Sequence, residues 1–426
     1  MGTNKITFNS FFAGIGGFDL GFENSGLTPL LQCEINPFCQ DVLKKHWPKV
    51  QLFDDITTIK PNEIPLANIW CGGFPCQDVS VARGSKGRQG LKGKNSGLFF
   101  PFFQLITEHQ PEIVLLENVM GLLSSHNGQD FRTILESFNN QGYSVAWRVM
   151  NSRFFGAPQS RTRVFICASK NQPLLAMKTL FETEGGPKLK NLRKAFLDVS
   201  ECSKSGAKVA QIAYCLAATS GRHTGTDWSR TYVSYQSKVR RLIPLECEGI
   251  QGFPKHWTDL DPNTTSDIDS DRYHALGNAV SVPVTQWIAK RLKKHFTNAS
   301  DIEPLPSDFT NYIINNFGDA ANSPRVQNLD ELHFDVTDKA NKLKWLNGGF
   351  IHNGICIDFK ASDAPMKVVS KKLIDVIYPE KVDSKYYLSS NAAKGILRRV
   401  YSQNRKLFAP MHDALVQLSS TTDNVT

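Results

Sequence analysis

The sequence predicts an α/β fold built on a largely parallel sheet, and three observations carry that reading. Up to about Ser169, short apolar runs alternate with amphipathic stretches of helical spacing, the pattern of strands feeding crossover helices. Glycines or acidic residues stand at the ends of several apolar runs, where open α/β sheets bind ligands. The composition, 41% hydrophobic and 21% charged over 426 residues, is that of an ordinary globular chain, and the length favours two or three domains.

Ile6–Phe12, Pro29–Cys33, Asn68–Cys71, Glu112–Glu117 and Arg163–Ala168 read as strands. Between them Phe18–Asn24, Pro37–His46, Leu98–His109 and Asp130–Asn140 have the spacing of amphipathic helices. From Lys170 to about Ser237 the rhythm is lost among Gly, Thr and Ser clusters, with Arg222, His223, Arg230 and Lys238 scattered among aromatic residues. That stretch reads as a separate loop-rich lobe. Order returns at Arg240, and a helix begins after Pro283. Ser300–Asp338 then carries eight acidic residues, one basic residue and three prolines, which reads as a linker. Lys339–Pro410 holds 14 basic and five acidic residues, with Lys394, Arg398 and Arg399 close together on a helix-like stretch.

Four segments could carry chemistry. Phe11-Phe12-Ala13-Gly14-Ile15-Gly16-Gly17 ends the first strand and precedes a helix, so its glycines allow a ligand to approach the backbone. Glu34 ends the second strand and could accept from a ribose diol, and Asp55 follows the expected third strand, where an adenine amine could be read. A dinucleotide fingerprint needs a further glycine where Asp19 stands, so a nicotinamide cofactor fits poorly. Gly72-Gly73-Phe74-Pro75-Cys76-Gln77 places a cysteine after a proline-fixed turn at a strand end, the setting of an exposed nucleophile; the other eight cysteines read as inert core residues. Arg83, Lys86, Arg88, Lys92 and Lys94 follow it among four glycines with no acid, a loop suited to phosphates. Glu117 emerges from the same sheet edge as Cys76 and suits an amino-pyrimidine edge. Strand alternation sends Arg161 and Arg163 of Gln159-Ser160-Arg161-Thr162-Arg163 to one face.

Composition narrows the partners. No apolar run approaches the length of a membrane span, and Met1–Phe12 lacks a signal-peptide pattern, so a soluble cytoplasmic protein is expected. Nine cysteines without a CxxC pair argue against zinc and disulfides. The net charge of +9 lies wholly before Ser300, with 34 basic against 25 acidic residues there, as a polyanionic partner would favour.

In this order the segments resemble the C5-cytosine DNA methyltransferases of bacteria and their phages, adding Arg240-Arg241-Leu242, Glu246-Cys247 and Gly277-Asn278-Ala279-Val280 to those above. The resemblance implies a Rossmann-like S-adenosylmethionine-dependent sheet with a smaller target-recognition lobe. It implies a cofactor pocket of Phe12, Ala13, Gly14, Ile15, Gly17, Glu34, Ile35, Asp55, Ile56, Pro75, Leu98, Asn278 and Val280. Cys76 would attack cytosine C6 of a flipped-out base in double-stranded DNA while Glu117, Arg161 and Arg163 serve the base, and Arg83, Lys86, Arg88 and Lys92 would contact DNA. No metal is needed. A monomer is expected, and whether a cognate restriction endonuclease acts separately stays open. The family's usual Asp before the glycine motif is Ser10 here, which leaves one polar contact undefined.

The domains expected are a catalytic part, 1–169 with 275–298; the recognition lobe, 170–274; a linker, 299–338; and an accessory region, 339–426. A chain ending near Asn298 is then expected to keep methyl transfer and specificity. Rival readings are the tRNA-methylating branch, a catalytically lost DNA-binding module and, last, a flavin or NAD oxidoreductase.

Overall fold

The structure is a computed structural model that describes residues 5–75, 96–187, 193–222, 226–260, 268–296, 302, 304–329 and 345–421. The chain forms two compact units, one of Met1–Asn151, Thr162–Lys188 and Val284–Val368, the other of Ser152–Arg161, Leu189–Pro283 and Val369–Thr426. Among the described residues no helix is long and apolar enough to cross a membrane.

The first unit is organised by a ten-stranded sheet: β1 (Thr7–Phe11), β2 (Thr28–Cys33), β3 (Gln51–Phe53), β4 (Ile69–Gly72), β5 (Ile113–Val119), β6 (Ser144–Asn151), β7 (Thr162–Ser169), β8 (Arg325–Asn328), β9 (Gly348–His352) and β10 (Ile355–Phe359). Their spatial order is β8-β10-β9-β6-β7-β5-β4-β1-β2-β3. From β3 to β5 every pairing is parallel. β4 and the first six residues of β5 are buried, so these strands are apolar runs rather than alternating ones. Parallel neighbours require crossovers, which α1 (Gly17–Glu23), α2 (Pro37–His46) and α3 (Phe99–His109) supply. α2 starts where the Asn36 side chain accepts from the Cys39 N–H and Pro37 takes the first helical position. The core beside these strands is aromatic, with Phe102 4.9 Å from Phe11 and stacked 6.2 Å from Trp70.

Beyond β5 the sheet is antiparallel. β7 lies between β5 and β6, and β6 pairs with β9, Val145 opposite Ile351. β9 and β10 form a hairpin across Asn353-Gly354, both with positive φ (46° and 78°), as two-residue hairpin turns of this composition require. β8 completes the edge against β10. Residues expected to be linker and accessory region are therefore strands of the central sheet, and Phe309–Asn316 within the expected linker is a helix. The acidic composition concealed this, because Asp319 and Asp358 face inward: Asp319 lies 3.4 Å from the fully buried Arg148, and Asp358 pairs with Arg325. Arg148 also donates to the carbonyls of Leu180 (2.7 Å), Ser362 (3.0 Å) and Ala364 (2.5 Å). A chain ending near Asn298 would strip Arg148 of its Asp319, Ser362 and Ala364 partners and β6 of β9, so loss of folding, rather than an intact truncated enzyme, is now the expected outcome.

The second unit contains a four-stranded antiparallel sheet, ordered Val239–Arg241, Tyr232–Ser234, Lys208–Ala210, Val199–Glu201. Helices Ser390–Ser402 and Ala409–Ser420 share a core with it: Ile396, Leu397, Val400, Met411 and Leu415 pack with Tyr232 and Val239. The end of the chain thus completes the unit that holds most of the expected recognition lobe, while Pro173–Leu180 of that lobe belongs to the first unit.

Candidate active site

Register brings the site together. Phe11 of β1 lies opposite Cys33 of β2 and Gly72 of β4, Cys33 opposite Phe53, and Gly72 opposite Leu116 of β5. The residues that follow, Phe12, Glu34, Gly73 and Glu117, therefore leave one carboxyl edge at one level. The strand order turns between β1 and β4, the crevice where open α/β sheets take ligands.

On one side of that crevice is the glycine loop. Phe12 holds a φ of 53°, a strained value for an aromatic residue, with its ring edge-on to Phe102 at 5.7 Å. Gly14 (φ 57°) donates its N–H to Glu34 Oε2 at 2.8 Å, and Glu34 Oε1 accepts from the Asn36 N–H at 2.8 Å. A Cβ on Gly14 would meet nothing within 4 Å, so the loop leaves open space there. Gly16 could not carry one, since it would fall 2.3 Å from the Trp47 ring. Ala13 and Ile15 are buried, Gly17 starts α1, and Ile35 beyond β2 is 66% exposed. Asp55 Oδ1 accepts from the Thr57 N–H and Oγ1, each at 2.8 Å, and Ile56 lies in the hydrophobic core. The contact left undefined at Ser10 is made to Asp19: Ser10 Oγ donates to it at 2.9 Å and Gln32 Nε2 at 2.8 Å, and burial pushes the Asp19 carboxyl up to about 6.

On the other side is the turn after β4. A Cβ on Gly72 would lie 2.5 Å from the Phe11 carbonyl oxygen and one on Gly73 3.3 Å from Glu117 Oε2, so glycine lets both neighbours close in. Asn118 Nδ2 donates to the Phe74 carbonyl at 3.1 Å while its Oδ1 accepts from the Val119 N–H at 2.8 Å, and Phe74 is sealed against Phe99. The turn that carries Pro75 is thereby held by β5. Arg163 on β7, opposite Val119, places Nε 3.0 Å from Glu117 Oε1 in a largely buried ion pair. Leu98 packs half-buried against the core. Cys76, Arg83, Lys86, Arg88 and Lys92 lie outside the described residues.

The structure does not bring Arg161 to the Glu117–Arg163 pair. Strand pairing breaks at Arg161, which belongs to the second unit, and its Nη1 donates to the carbonyls of Leu216 (3.0 Å) and Gly277 (3.1 Å). Asn278 and Val280 belong to the second unit too, Asn278 exposed at a helix end and Val280 half-buried. Gln251 escaped the sequence reading: it donates to the carbonyls of Leu276 (2.7 Å) and Ala279 (3.3 Å) and accepts from Gln159 Nε2 (2.7 Å), bracketing the Gly277-Asn278 turn. A lone Gln offers no spacing signal. Arg240 and Glu246, both fully buried, form a two-pronged pair at 2.9 and 2.8 Å.

Among the described cysteines, burial pushes the thiols of Cys33 and Cys167 up to about 12 and holds those of Cys71, Cys247 and Cys356 well above the ordinary thiol value, which suppresses thiolate. Cys202 and Cys215 are not core residues as expected, being half-exposed and exposed. The first unit's sheet is Rossmann-like, and at TM-score 0.51 and 18% identity, over 70% of this chain and all of the other, the chain is similar in fold to the Entamoeba histolytica methyltransferase EhMeth. A Spodoptera frugiperda DNMT2 follows at TM-score 0.50 and 17% identity, over 68% of this chain and 100% of that one. The C-5 cytosine-specific DNA methylase family matches residues 6–203 and 182–294, and the chain belongs to that family. It is 33% identical over 318 residues to the type II methyltransferase M2.BsuMI of Bacillus subtilis (strain 168), covering 69% of this chain and 77% of the relative, and 31% identical over 303 residues to M.NgoBI of Neisseria gonorrhoeae, covering 66% and 90%.

Proposed function

We propose that this protein methylates C5 of cytosine at a specific site in double-stranded DNA, as the modification arm of a restriction-modification system or a phage's self-protection. The observation that carries this reading is the Glu117–Arg163 pair beside the Gly73–Pro75 turn, at the same sheet edge as the glycine loop. The open space at Gly14, the Glu34 carboxylate beneath it and the exposed Ile35 fit S-adenosylmethionine, with Phe12, Ala13, Ile15, Gly17, Asp55, Ile56, Pro75, Leu98, Asn278 and Val280 as the remaining expected contacts. When bound, that cofactor would supply an electrophilic methyl group on a sulfonium, whose sulfur keeps the electron pair of the broken bond and departs as a neutral thioether.

The chain's own residues make cytosine able to accept it. The Cys76 thiolate adds to C6, forming an S–C6 bond and moving the ring electrons toward C5. Glu117 takes the N4 edge: with Oε1 ion-paired to Arg163, Oε2 beside Gly73 accepts from the exocyclic amine. Once C5 carries the methyl group, its proton is lost to solvent, the S–C6 bond breaks and Cys76 leaves, restoring the aromatic ring. Because a base within a duplex is out of reach, the cytosine must be flipped out, at a cost of a few kcal/mol offset by these contacts. Arg83, Lys86, Arg88 and Lys92 serve as phosphate contacts, and Arg161 as a positioning residue through the Leu216 and Gly277 carbonyls. The protein acts as a monomer in the bacterial cytoplasm, with any cognate endonuclease acting separately. A duplex DNA pool incubated with labelled donor and sequenced for 5-methylcytosine tests the reading: one methylated motif is expected, and no 5-methylcytosine from folded protein would overturn it.

A further inference from the structure

Residues after about 294 lie outside the family match, yet the last part of the chain is built into the second unit. The helix Ser390–Ser402 is two-faced. Ala393, Ile396, Leu397 and Val400 enter the core, while Lys394, Arg398 and Tyr401, at i, i+4 and i+7, are exposed along the opposite face. The stripe runs on into the exposed turn Gln403-Asn404-Arg405-Lys406, where Asn404 has a φ of 48° and the Arg405 N–H donates to the Val400 carbonyl at 3.0 Å. From Ser384 to His412 there are six Lys or Arg residues and no Asp or Glu.

These basic residues divide into two sets. Arg399 is neutralised by the buried Asp227 at 2.5 Å and Lys385 by Asp269 at 2.7 Å, so both tie the unit together. Lys394 and Arg398 have no ion-pair partner among the described residues, and the Arg405 guanidinium lies 4.5 Å above the ring of Trp228, within the lobe expected to read the target. Solvated helix faces ordinarily intersperse both signs, as α2 does where Asp41 lies 3.4 Å from Lys44. Two cations one turn apart on a face without an acid, rigidly backed by a core and leading into Gln, Asn, Arg and Lys, have the chemistry that meets nucleic-acid backbone.

We infer that Lys394, Arg398 and Lys406 bind the sugar–phosphate backbone of the substrate duplex, so that the chain's end forms part of the DNA-binding surface. This rests on the function proposed above. The test compares the full-length protein with Lys394→Ala/Arg398→Ala and with Lys371→Ala, an exposed lysine of the same unit off the stripe. DNA affinity is measured between roughly 50 and 200 mM salt, with 5-methylcytosine formation and thermal melting alongside. Each lost phosphate contact removes about 0.9 from the slope of log affinity against log salt, so over that range the double variant's affinity should fall about twelvefold less than the parent's. Its kcat at saturating DNA and its melting temperature should be unchanged, its KM for DNA raised, and Lys371→Ala should behave as the parent. An unchanged slope in the double variant would overturn the inference and leave the stripe to an acidic protein partner. An equal loss with Lys371→Ala would also overturn it, reducing the effect to net charge. A parent that binds DNA without forming 5-methylcytosine would instead break the proposed function.

Discussion

The two halves of the central sheet are built by different rules. The parallel half, β3 to β5, assembles from consecutive chain and sends Phe12, Glu34, Gly73 and Glu117 out of one edge. The antiparallel half draws β6, β7, β9, β10 and β8 from segments up to about 200 residues apart and contributes one side chain to that edge, Arg163. Chemistry gathers where parallel strands end together, because their carboxyl ends and following turns converge on one crevice; alternating strand directions scatter those ends. The antiparallel half supplies closure instead, with Trp147, Trp345 and Phe131 meeting edge to face at 5.4 to 5.8 Å.

That division predicts that variants of the side chains at the carboxyl edge lose catalysis while keeping stability, and variants of the buried side chains in the antiparallel half do the reverse. The largest effect is expected from Cys76→Ser, which should abolish transfer with melting temperature and cofactor affinity retained; substantial turnover would break the mechanism. Ending the chain near Asn298 should give no folded protein by circular dichroism, since it bares β6 and strips Arg148 of most of its partners. Glu117→Gln should lower kcat by about a hundredfold or more at unchanged urea midpoint. Asp319→Ala should cost about 3–5 kcal/mol in urea unfolding by leaving Arg148 uncompensated, with kcat of the folded fraction intact. Asp19 sharpens the comparison through pH. Its carboxyl is raised from 3.8 to about 6 by burial, so the native state holds its proton more tightly than the unfolded chain. Stability should therefore fall by about 3 kcal/mol as pH rises from about 4 to about 6, and Asp19→Asn should flatten that slope in urea titrations. The smallest effect belongs to Gly349→Ala: a Cβ there would lie 2.2 Å from the Trp147 ring, and overpacking of this kind costs about 1–3 kcal/mol.

Local signals made the parallel half legible. The glycines of the first loop, the acid at the end of β2 and the Gly73–Pro75 turn each sit next to the strand that positions them, so the chain order discloses the site. β6 offers no such signal, because all eight of its residues are buried and it carries Arg148, which reads as exposed until its partners at Asp319, Ser362 and Ala364 are known. The β9–β10 hairpin did carry a signal, Asn353-Gly354, but a turn says nothing of which distant strand the hairpin will join. Arg161 misled for a related reason. Alternation along a strand holds only while the strand continues, and pairing breaks at that residue.

The pairing of β6 with β9 also sets a timetable for synthesis. Val145 meets Ile351, so the ribosome must add about 200 residues after β6 before its partner exists, roughly 10 to 40 seconds at ordinary elongation rates. Throughout that interval the nascent sheet presents an open strand edge flanked by Trp147, a template for pairing with other chains. Slower elongation, or a chaperone shortage during expression, should therefore shift the product toward aggregates through this edge alone, leaving the finished enzyme's thermal stability untouched.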